Sequence, residues 1–480
     1  MKKIMLIYPS GDIYQRGEDR CQVNIKASTS NAMRACNDLG YISAILKKKD
    51  YDIFLKDYQG ENLPYEQLEL DIKKEQPDVI FISVTNGSIF NDIEIVNKIK
   101  GKFSKPAIIL KGALFFNPER DLFEELDLTN VDYLIGGEVE FLIDNLMEAH
   151  FNDKSKLSKI EGISYIENGI WKSNPVENLC NDLDSLPFPD REEMNNELYI
   201  NPQTNKKMAT INTSRGCPSS CIYCLSPKIS GKKVRYRSAK NIFDEIVDCV
   251  EKYDIKDFFF KADTFTINRN LVVDLCTFII NSKININWVA NSRANTLDDE
   301  MLKLMKRAGC SMIAVGFESG SDESLKKMKK GTSVEQNLKC AKLIKDNDLL
   351  LYGFYLVGFP WESKKHLNET KKLIFKIDAD YIELSIVTPF KGTEIYEYVT
   401  TKEGLKKDAM LGKDSFKIST TGTEFLSIKQ LRNFRKNVIL KYHLRPSYIF
   451  KKLTDKNLTL KLLLNYTKYG LRLLKNVVSF

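Results

Sequence analysis

Histidine is scarce in this chain, which has only three in 480 residues: His150, His366 and His443. Most of its ten cysteines stand alone, so a disulfide framework is not indicated. No apolar run approaches the roughly 20 residues that cross a bilayer. The start, "MKKIMLIYPS", passes from two lysines directly into a strand pattern rather than a secretory signal. These absences predict a protein of the reducing cytoplasm.

A net positive charge is found only at the carboxyl-terminal end. Residues 428–480 hold thirteen Lys or Arg against one acid, Asp455, which gives this segment a net charge of +12. The net charge of the whole chain is +8, so the other 427 residues carry −4. A mildly acidic body argues against a nucleic-acid partner. The tail interleaves Leu and Tyr with Lys and Arg, which suits either an anionic membrane surface or helices packed on the body with their lysines in water.

The first 150 residues alternate short apolar strands with helical stretches. Strand patterns occur at 3–9, 51–58, 78–85, 107–112 and 132–137. This alternation predicts βαβ units and a doubly wound, Rossmann-like parallel sheet. Ligands of such sheets bind beyond the carboxyl ends of the strands, where this sequence has small and polar residues. The alternative is that these glycines simply end the strands.

A second α/β series begins at residue 208, after a predicted connector with a small hairpin at 151–207. Six strand–helix repeats are too few for an eight-fold barrel, so they predict a partial (β/α)6 barrel of the TIM type over 208–395, with its site at the carboxyl ends of the strands. Residues 396–480 are predicted to be a basic helical region. The predicted fold class is therefore α/β, with a helical carboxyl-terminal region.

Three cysteines fall within eight positions in "TSRGCPSSCIYC", directly after the first strand of the second series. A disulfide would leave one of Cys217, Cys221 and Cys224 unpaired, and tetrahedral zinc would need a fourth ligand that no nearby histidine supplies. Inert buried cysteines do not usually gather in a loop with Arg-Gly and Pro. An iron–sulfur cluster with one iron left open for chemistry fits these three thiols best.

This Cys-x3-Cys-x2-Cys loop resembles that of radical S-adenosylmethionine (SAM) enzymes. "GFESGSDESLKKMKKGTS", "LVGFPWES" and "TPFKGTEIY" resemble later segments of the same family, although Trp361 replaces a glycine and Ala262 replaces one of two usual aspartates. The resemblance implies a 4Fe–4S cluster on the three cysteines, reduced by an external flavodoxin or ferredoxin, and cleavage of SAM to a 5′-deoxyadenosyl radical. It implies SAM contacts at Tyr223, Asp263, Arg293, Glu318 and Gly358.

The amino-terminal half resembles the cobalamin-binding domain of many such enzymes, in "LIYP", "PDVIFISVT", "ILKGALFF" and "YLIGGEVE". Two departures stand out. The usual Gly-Gly-Pro-His reads Lys-Gly-Ala-Leu at 111–114, and residues 1–149 offer no histidine to ligate cobalt from below. The alternative is a degenerate domain that no longer binds cobalamin. The implied cobalamin contacts are Ser10, Ser83, Thr85, Asn86, Gly112, Ala113, Leu114, Gly136, Gly137 and Glu138.

Together the two resemblances imply an enzyme like the class B radical SAM methyltransferases, in which a methyl group passes from SAM through cobalamin to a substrate radical. We expect methylation of an unactivated carbon in a small-molecule or lipid-like substrate held between the two sheets. The alternatives are a non-methylating radical reaction, such as ring closure or rearrangement, and a non-catalytic cobalamin-binding or sensory protein. A membrane-bound tail would place the protein at the inner face of the membrane.

Overall fold

A computed structural model of the chain describes residues 1–16, 33–401 and 421–454, and also 463, 464, 466, 467 and 470. The predicted α/β fold class is confirmed, with two parallel sheets and helices at the carboxyl-terminal end. In the described part, no helix is both long enough and apolar enough to cross a membrane. The tail residues Leu460, Lys461, Leu471, Arg472, Leu474 and Lys475, to which the amphipathic prediction refers, lie outside the described residues, as does Cys21.

The first sheet has seven strands in the order β2-β1-β3-β4-β5-β6-β7. They are β1 (Lys3–Tyr8), β2 (Asp52–Asp57), β3 (Val79–Ser83), β4 (Ala107–Lys111), β5 (Tyr133–Ile135), β6 (Ile163–Glu167) and β7 (Ile170–Ser173). The first five run parallel, whereas β6 and β7 are the predicted hairpin, which joins the edge of the sheet antiparallel to β5. Strands β3 and β4 are buried along their whole length and apolar except for the terminal Ser83 and Lys111, because helices cover both faces.

Helices pack on both faces of this sheet. They are α1 (Asn37–Lys47), α2 (Tyr65–Glu75), α3 (Ile89–Lys102), α4 (Arg120–Glu125) and α5 (Ile143–Phe151). Helices α1 and α5 bury Leu39 and Leu146 in the core on one face, whereas α2 and α3 bury Leu68 and Val96 on the other. The winding direction therefore reverses between β1 and β3. This switch point is where open sheets of this kind bind ligands.

The second sheet is fully parallel, in the order β8-β11-β12-β13-β14-β15, with β8 and β15 at its edges. Its strands are β8 (Met208–Asn212), β11 (Asp257–Lys261), β12 (Asn287–Ser292), β13 (Cys310–Glu318), β14 (Leu350–Val357) and β15 (Tyr381–Ile386), and a separate antiparallel pair is formed by β9 (Ser214–Arg215) and β10 (Arg235–Tyr236). Alternate residues such as Ile211, Phe260 and Trp288 are buried against the outer helices. The intervening residues line the inner face of the partial barrel.

The outer helices follow the strands in turn. They are α6 (Ser226–Ile229), α7 (Ala239–Tyr253), α8 (Arg269–Ser282), α9 (Asp299–Arg307), α10 (Asp322–Lys327), α11 (Val334–Asp346), α12 (Lys364–Ile377), α13 (Glu394–Thr401), α14 (Ile428–His443) and α15 (Pro446–Leu453). Several start at side-chain caps: Ser238, Asn268 and Asp298 each accept a backbone N–H from the first turn. These caps fix where each helix starts, and so how long each loop at the carboxyl edge can be.

Candidate functional site

The three cysteines lie in the loop between β9 and α6, beyond the carboxyl end of β8. None of the three is in a disulfide, and all three residues are partly exposed. Two backbone hydrogen bonds hold the loop, from Cys217 N to the Gly231 carbonyl (3.0 Å) and from Ile222 N to the Met328 carbonyl (3.1 Å). Of the other described cysteines, all but Cys180 are buried. The loop therefore holds three of the four partly exposed cysteines among the described residues.

The donor set fits an iron–sulfur cluster better than a single ion. Within the described residues, no three Cys, His, Asp or Glu side chains converge closely enough to hold one metal ion. Each thiolate of a cluster binds a different iron, so its ligands stand farther apart than those around one ion. Arg293 approaches from the barrel, with Nη1 3.8 Å from Cys221 Sγ.

Glu318 ends β13 at the same edge as this loop. Its φ of 60° lies in the left-handed region, which is unfavourable for a residue other than glycine, and the pairing of β13 with β14 shifts there. Its carboxylate pairs with Lys330 Nζ at 2.7 Å, and the two side chains are 9 % and 6 % exposed. Arg293 donates to the Lys330 carbonyl. We call Glu318, Lys330 and Arg293 the charged wall, since one carboxylate and two cations there can bind a zwitterion.

Tyr223, within the cysteine loop, packs against a small apolar cluster. Its ring meets that of Phe359 edge-on, with centroids 5.7 Å apart, in this cluster. Burial, followed by the charge of Glu318, raises the pKa of the Tyr223 hydroxyl well above its usual value. The hydroxyl therefore stays protonated and makes a hydrogen bond with Cys221. The contact of Tyr223 with SAM that the resemblance implies stays a prediction.

Gly358 has a structural task at the end of β14. Its φ of 96° suits glycine, and its N–H donates to Glu362 Oε2 at 2.7 Å. Glu362 is fully buried, which raises the pKa of its carboxyl, and it also accepts from Ser324 Oγ at 2.8 Å. Trp361 joins this network by donating Nε1 to Ser324 at 3.0 Å. Trp361, which departs from the family pattern, thus helps to connect the end of β14 with α10.

Asp263 follows β11 and faces the helix after the cysteines. Its carboxylate accepts from Ser226 Oγ at 2.8 Å, and Ser226 is the first residue of α6. This hydrogen bond fixes the end of the loop to the second strand of the barrel. The arrangement suits a positioning role for Asp263 as well as the predicted contact with SAM.

The predicted cobalamin contacts at the switch point are well buried. Ser10 follows β1, and Ser83, Thr85 and Asn86 are at the end of β3. Two of the hydroxyls are already in use, since Ser83 Oγ donates to Asp38 at 2.7 Å and Thr85 Oγ1 donates to Ser88 at 2.9 Å. Ser10 Oγ is buried without a hydrogen-bond partner in the described part of the chain. Ser10 therefore has a group left for a ligand, and the others shape the backbone around it.

Small residues at the next two strand ends are explained by close packing. A Cβ on Gly112, after β4, would come within 2.8 Å of Val84 Cγ2, and one on Gly136, after β5, within 2.0 Å of the Phe115 carbonyl. Both glycines let neighbouring strand ends approach each other. Ala113, Leu114 and Gly137 are partly exposed beside them, at the same edge of the sheet.

Ion pairs join the two sheets at the seam between their carboxyl edges. Arg235 in β10 binds Glu138 through both terminal nitrogens (2.7 and 2.8 Å), and Arg215 in β9 pairs with Glu140 (2.5 Å) and Glu138 (3.3 Å). Burial disfavours ionisation of Glu140, but the charge of Arg215 outweighs it and lowers the pKa of that carboxyl. Glu138, a predicted cobalamin contact, therefore also binds one sheet to the other.

A cavity of about 80 Å³ lies at this seam. Asp38, Lys111 and Glu140 line it from the first sheet, and Asn212 and Asp263 from the second. Charged and neutral polar groups of both sheets thus face one space between the cysteine loop and the switch point. A substrate held there would be close to both predicted cofactor regions.

Sequence reasoning missed Lys330. It belongs to the run "KKMKK", and the sequence of this run does not distinguish a solvent-exposed lysine from a buried one. Lys329 beside it pairs with Glu394 on the surface, whereas Lys330 turns inward to Glu318. The nearest available signal was the glycine at 331, which ends the turn with φ of 72°.

Comparison with known proteins agrees with this layout. Residues 211–374 match the Radical SAM superfamily. An uncharacterised methyltransferase of Pyrococcus horikoshii is 28 % identical over 86 % of this chain and 88 % of its own length. The anaerobic magnesium-protoporphyrin IX monomethyl ester cyclase of Rubrivivax gelatinosus is 26 % identical over 76 % of this chain and 66 % of its own length.

Two solved structures share the fold over most of the chain. The cobalamin-dependent SAM radical enzyme OxsB, with aqua-cobalamin and SAM bound, has a TM-score of 0.73 at 18 % identity, over 100 % of this chain and 72 % of its own. The radical SAM methyltransferase TsrM of Kitasatospora setae, with cobalamin and a [4Fe-4S] cluster, has a TM-score of 0.66 at 15 % identity, over 85 % and 80 %. The chain therefore carries a radical SAM domain within the fold of the cobalamin-dependent radical SAM enzymes.

Proposed function

We propose that this chain is a cobalamin-dependent radical SAM enzyme that methylates an unactivated carbon of a small-molecule or lipid-like substrate. The observation that carries this proposal is the meeting of two carboxyl edges at one seam, with the cysteine loop on one side and the switch point on the other. The methyltransferase name of the Pyrococcus horikoshii relative and the cobalamin bound in OxsB and TsrM support it.

The role that we propose for each group of residues follows from its position in the structure. Cys217, Cys221 and Cys224 would hold a 4Fe–4S cluster, and the charged wall would bind the ammonium and carboxylate groups of SAM. When bound, the cluster and SAM supply the 5′-deoxyadenosyl radical, and cobalamin supplies the methyl group. The chain itself orients the substrate within the seam and keeps water out. An external flavodoxin- or ferredoxin-type reductant would supply the electron.

The cobalamin contacts and domain limits predicted from the sequence are kept as part of this proposal. The free hydroxyl of Ser10 and the partly exposed Ala113, Leu114 and Gly137 border the space a corrin would need. The domain limits remain 1–150, 151–207, 208–395 and 396–480. Residues 1–149 contain no histidine, so a bound cobalamin would receive no imidazole ligand from this segment, and its cobalt would be unligated from below or met by a weaker group.

The test is product analysis with the anaerobically reconstituted protein. Protein, SAM, hydroxocobalamin and reductant are mixed with a small-molecule extract of cells that lack this protein, and followed by mass spectrometry. We expect 5′-deoxyadenosine, S-adenosylhomocysteine and a product 14 mass units heavier than its substrate. Cys217→Ala should abolish all three, whereas Cys180→Ala, which removes a partly exposed thiol outside the loop, should not.

A second candidate function has support from one relative. The Rubrivivax gelatinosus protein is named a cyclase, which favours ring closure without methylation as the alternative. The same experiment separates the two, because 5′-deoxyadenosine without S-adenosylhomocysteine or a heavier product would favour the cyclase-like reaction. Absence of 5′-deoxyadenosine in every extract would favour the non-catalytic cobalamin-binding alternative.

We also propose that the enzyme works in the cytoplasm with its carboxyl-terminal surface on an anionic membrane. Helix α15 supports this, because Ile449, Phe450 and Leu453 are 43 %, 69 % and 54 % exposed. The +12 charge of residues 428–480 would favour anionic lipid. A membrane contact would bring the protein to a lipid-like substrate.

A further inference from the structure

Four residues from both sheets meet on the inner face of the barrel, next to the seam. The guanidinium carbon of Arg34 lies 3.5 Å from the centroid of the Phe259 ring in β11. Asn37, three residues later and the first residue of α1, donates from Nδ2 to the Thr210 carbonyl of β8 at 2.6 Å. Thr210 and Phe259 are register partners on adjacent strands. We call these four residues the Arg34 cluster.

Three polar atoms of the Arg34 cluster are buried and have no partner in the described part of the chain: Arg34 Nη1, Asn37 Oδ1 and Thr210 Oγ1. Thr210 is only 2 % exposed and Asn37 only 7 %. Buried polar groups are nearly always hydrogen-bonded, so each of these three atoms requires a partner. Within the described residues, the Arg34 cluster therefore leaves one guanidinium N–H, one hydroxyl and one amide oxygen without a hydrogen-bond partner.

The unpartnered atoms define the chemistry of the missing group. The Arg34 N–H donates and carries positive charge, so it needs an anionic oxygen. The Thr210 hydroxyl can donate to the same anion, whereas Asn37 Oδ1 only accepts and needs an O–H or N–H. Asn37 and Thr210 also line the cavity at the seam, so a group bound here continues into the space between the predicted cofactor regions.

We propose that the Arg34 cluster is a binding subsite for an oxyanion that also carries a hydrogen-bond donor, and that it anchors the substrate. A singly protonated phosphate or a hydroxy-carboxylate has this chemistry. The substrate assignment rests on the proposed function, but binding of the anion does not require turnover. A purely structural role for Arg34, stacking on Phe259, would involve no anion.

The test measures anion binding by the full-length, cluster-loaded protein at pH 7. Inorganic phosphate and glycolate are the two probes, one for each source of the oxyanion, and sulfate is the comparison without a donor. Isothermal titration and the shift of Tm with anion concentration are the readouts. We expect saturable binding of phosphate or glycolate, and binding of sulfate at least fivefold weaker, because sulfate has no proton for Asn37.

Matched variants locate the site. Arg34→Gln should weaken anion binding at least tenfold, and Thr210→Val by a smaller factor, whereas Arg34→Lys should retain part of it. Arg120→Gln removes an equal charge from a side chain that is 93 % exposed, and it should bind as the wild type does. Should Arg34→Gln fail to fold, Thr210→Val and Asn37→Leu provide the comparison.

Two results would overturn the proposal. One is the absence of saturable binding of both phosphate and glycolate by the wild type. The other is binding that Arg34→Gln and Thr210→Val leave unchanged. Neither result depends on formation of 5′-deoxyadenosine, so failure of this subsite and failure of the proposed enzymatic function are distinguishable.

Discussion

Single residues in this protein are defined by their partners more than by their type. Glu318 and Lys330 lie twelve positions apart and form a buried ion pair at the end of β13. Arg293, which contacts both Lys330 and the cysteine loop, joins this pair to the predicted cluster site. Removing one charge from such a pair leaves the other buried and unpaired, which is the costly case.

We predict that Lys330→Met destabilises the protein by about 3 kcal/mol at neutral pH, because Glu318 then loses its partner. The check is equilibrium denaturant unfolding without SAM. Lys329→Met, its exposed neighbour, should change the free energy of unfolding by no more than about 0.5 kcal/mol.

The double variant Glu318→Gln/Lys330→Met distinguishes charge pairing from simple packing. It should be more stable than Lys330→Met alone, since it leaves no unpaired charge. Glu318→Gln should also weaken SAM binding to the cluster-loaded protein at least tenfold. Equal stability of Lys330→Met and Lys329→Met would contradict the buried pair.

At the scale of elements, α15 has two different faces. Tyr448 donates to the Asp380 carbonyl at 3.1 Å, and Lys452 lies 3.9 Å from the centroid of the Tyr381 ring. Ile449, Phe450 and Leu453 point away from this contact. One face therefore packs on the barrel, as one of the two sequence interpretations expected, and the other exposes apolar side chains, as the membrane interpretation requires.

We predict that the full-length protein sediments with vesicles of phosphatidylcholine and phosphatidylglycerol but not with phosphatidylcholine alone. Phe450→Asp should reduce the bound fraction at least threefold, because it removes the most exposed apolar side chain of α15 and adds a like charge to the lipid. The matched control is Ile170→Asp, a 67 % exposed apolar residue on the distant hairpin. Equal loss in both variants, or no binding by the wild type, would refute the membrane contact.

At the scale of the whole molecule, the seam depends on charges from the β9–β10 pair and from the loop after β5. Arg215 and Arg235 come from the β9–β10 pair beside the cysteine loop, and Glu138 and Glu140 come from the loop after β5. These ion pairs fix the distance between the cysteine loop and the switch point. A catalytic arrangement that requires two cofactors to face one substrate depends on that distance.

We predict that Arg215→Met lowers the free energy of unfolding by about 3 kcal/mol at pH 7, because Glu140 becomes a buried charge without its main partner. The pKa of Glu140 is lowered in the wild type, so its contribution is present above the usual value of 4.5 and is lost as the pH falls below it. In Arg215→Met the largest influence that opposes burial is gone, and only Lys111 and a backbone hydrogen bond still lower this pKa, so we expect the pKa to rise and acidification to relieve the cost.

The difference between the two proteins should therefore shrink as the pH falls from 7 toward 4, measured by chemical unfolding at each pH. Arg120→Met, which removes an exposed arginine, should give no such pH-dependent difference. A difference that stays constant across this range would show that Arg215 acts by packing.

The fold was largely predictable, because each βα unit is encoded locally. Apolar runs such as 78–85 become strands wherever helices can cover both faces, and caps such as Asp298 start helices from neighbouring residues alone. The site was predictable where its signal is a short motif. The cysteine loop and the strand ends near Glu318 and Gly358 therefore lie at the carboxyl edge, as expected from the topology.

The amino-acid sequence by itself determined the two α/β series, their order and the unusual triplet of thiols, because these depend on contacts within about one βα unit. Only the tertiary structure decided which lysine of "KKMKK" pairs with Glu318, that Glu138 and Glu140 face two arginines, and that Arg34 lies on Phe259. Those pairings join residues 12 to 225 positions apart. Their energies depend on burial, which exists only once the two sheets have packed together.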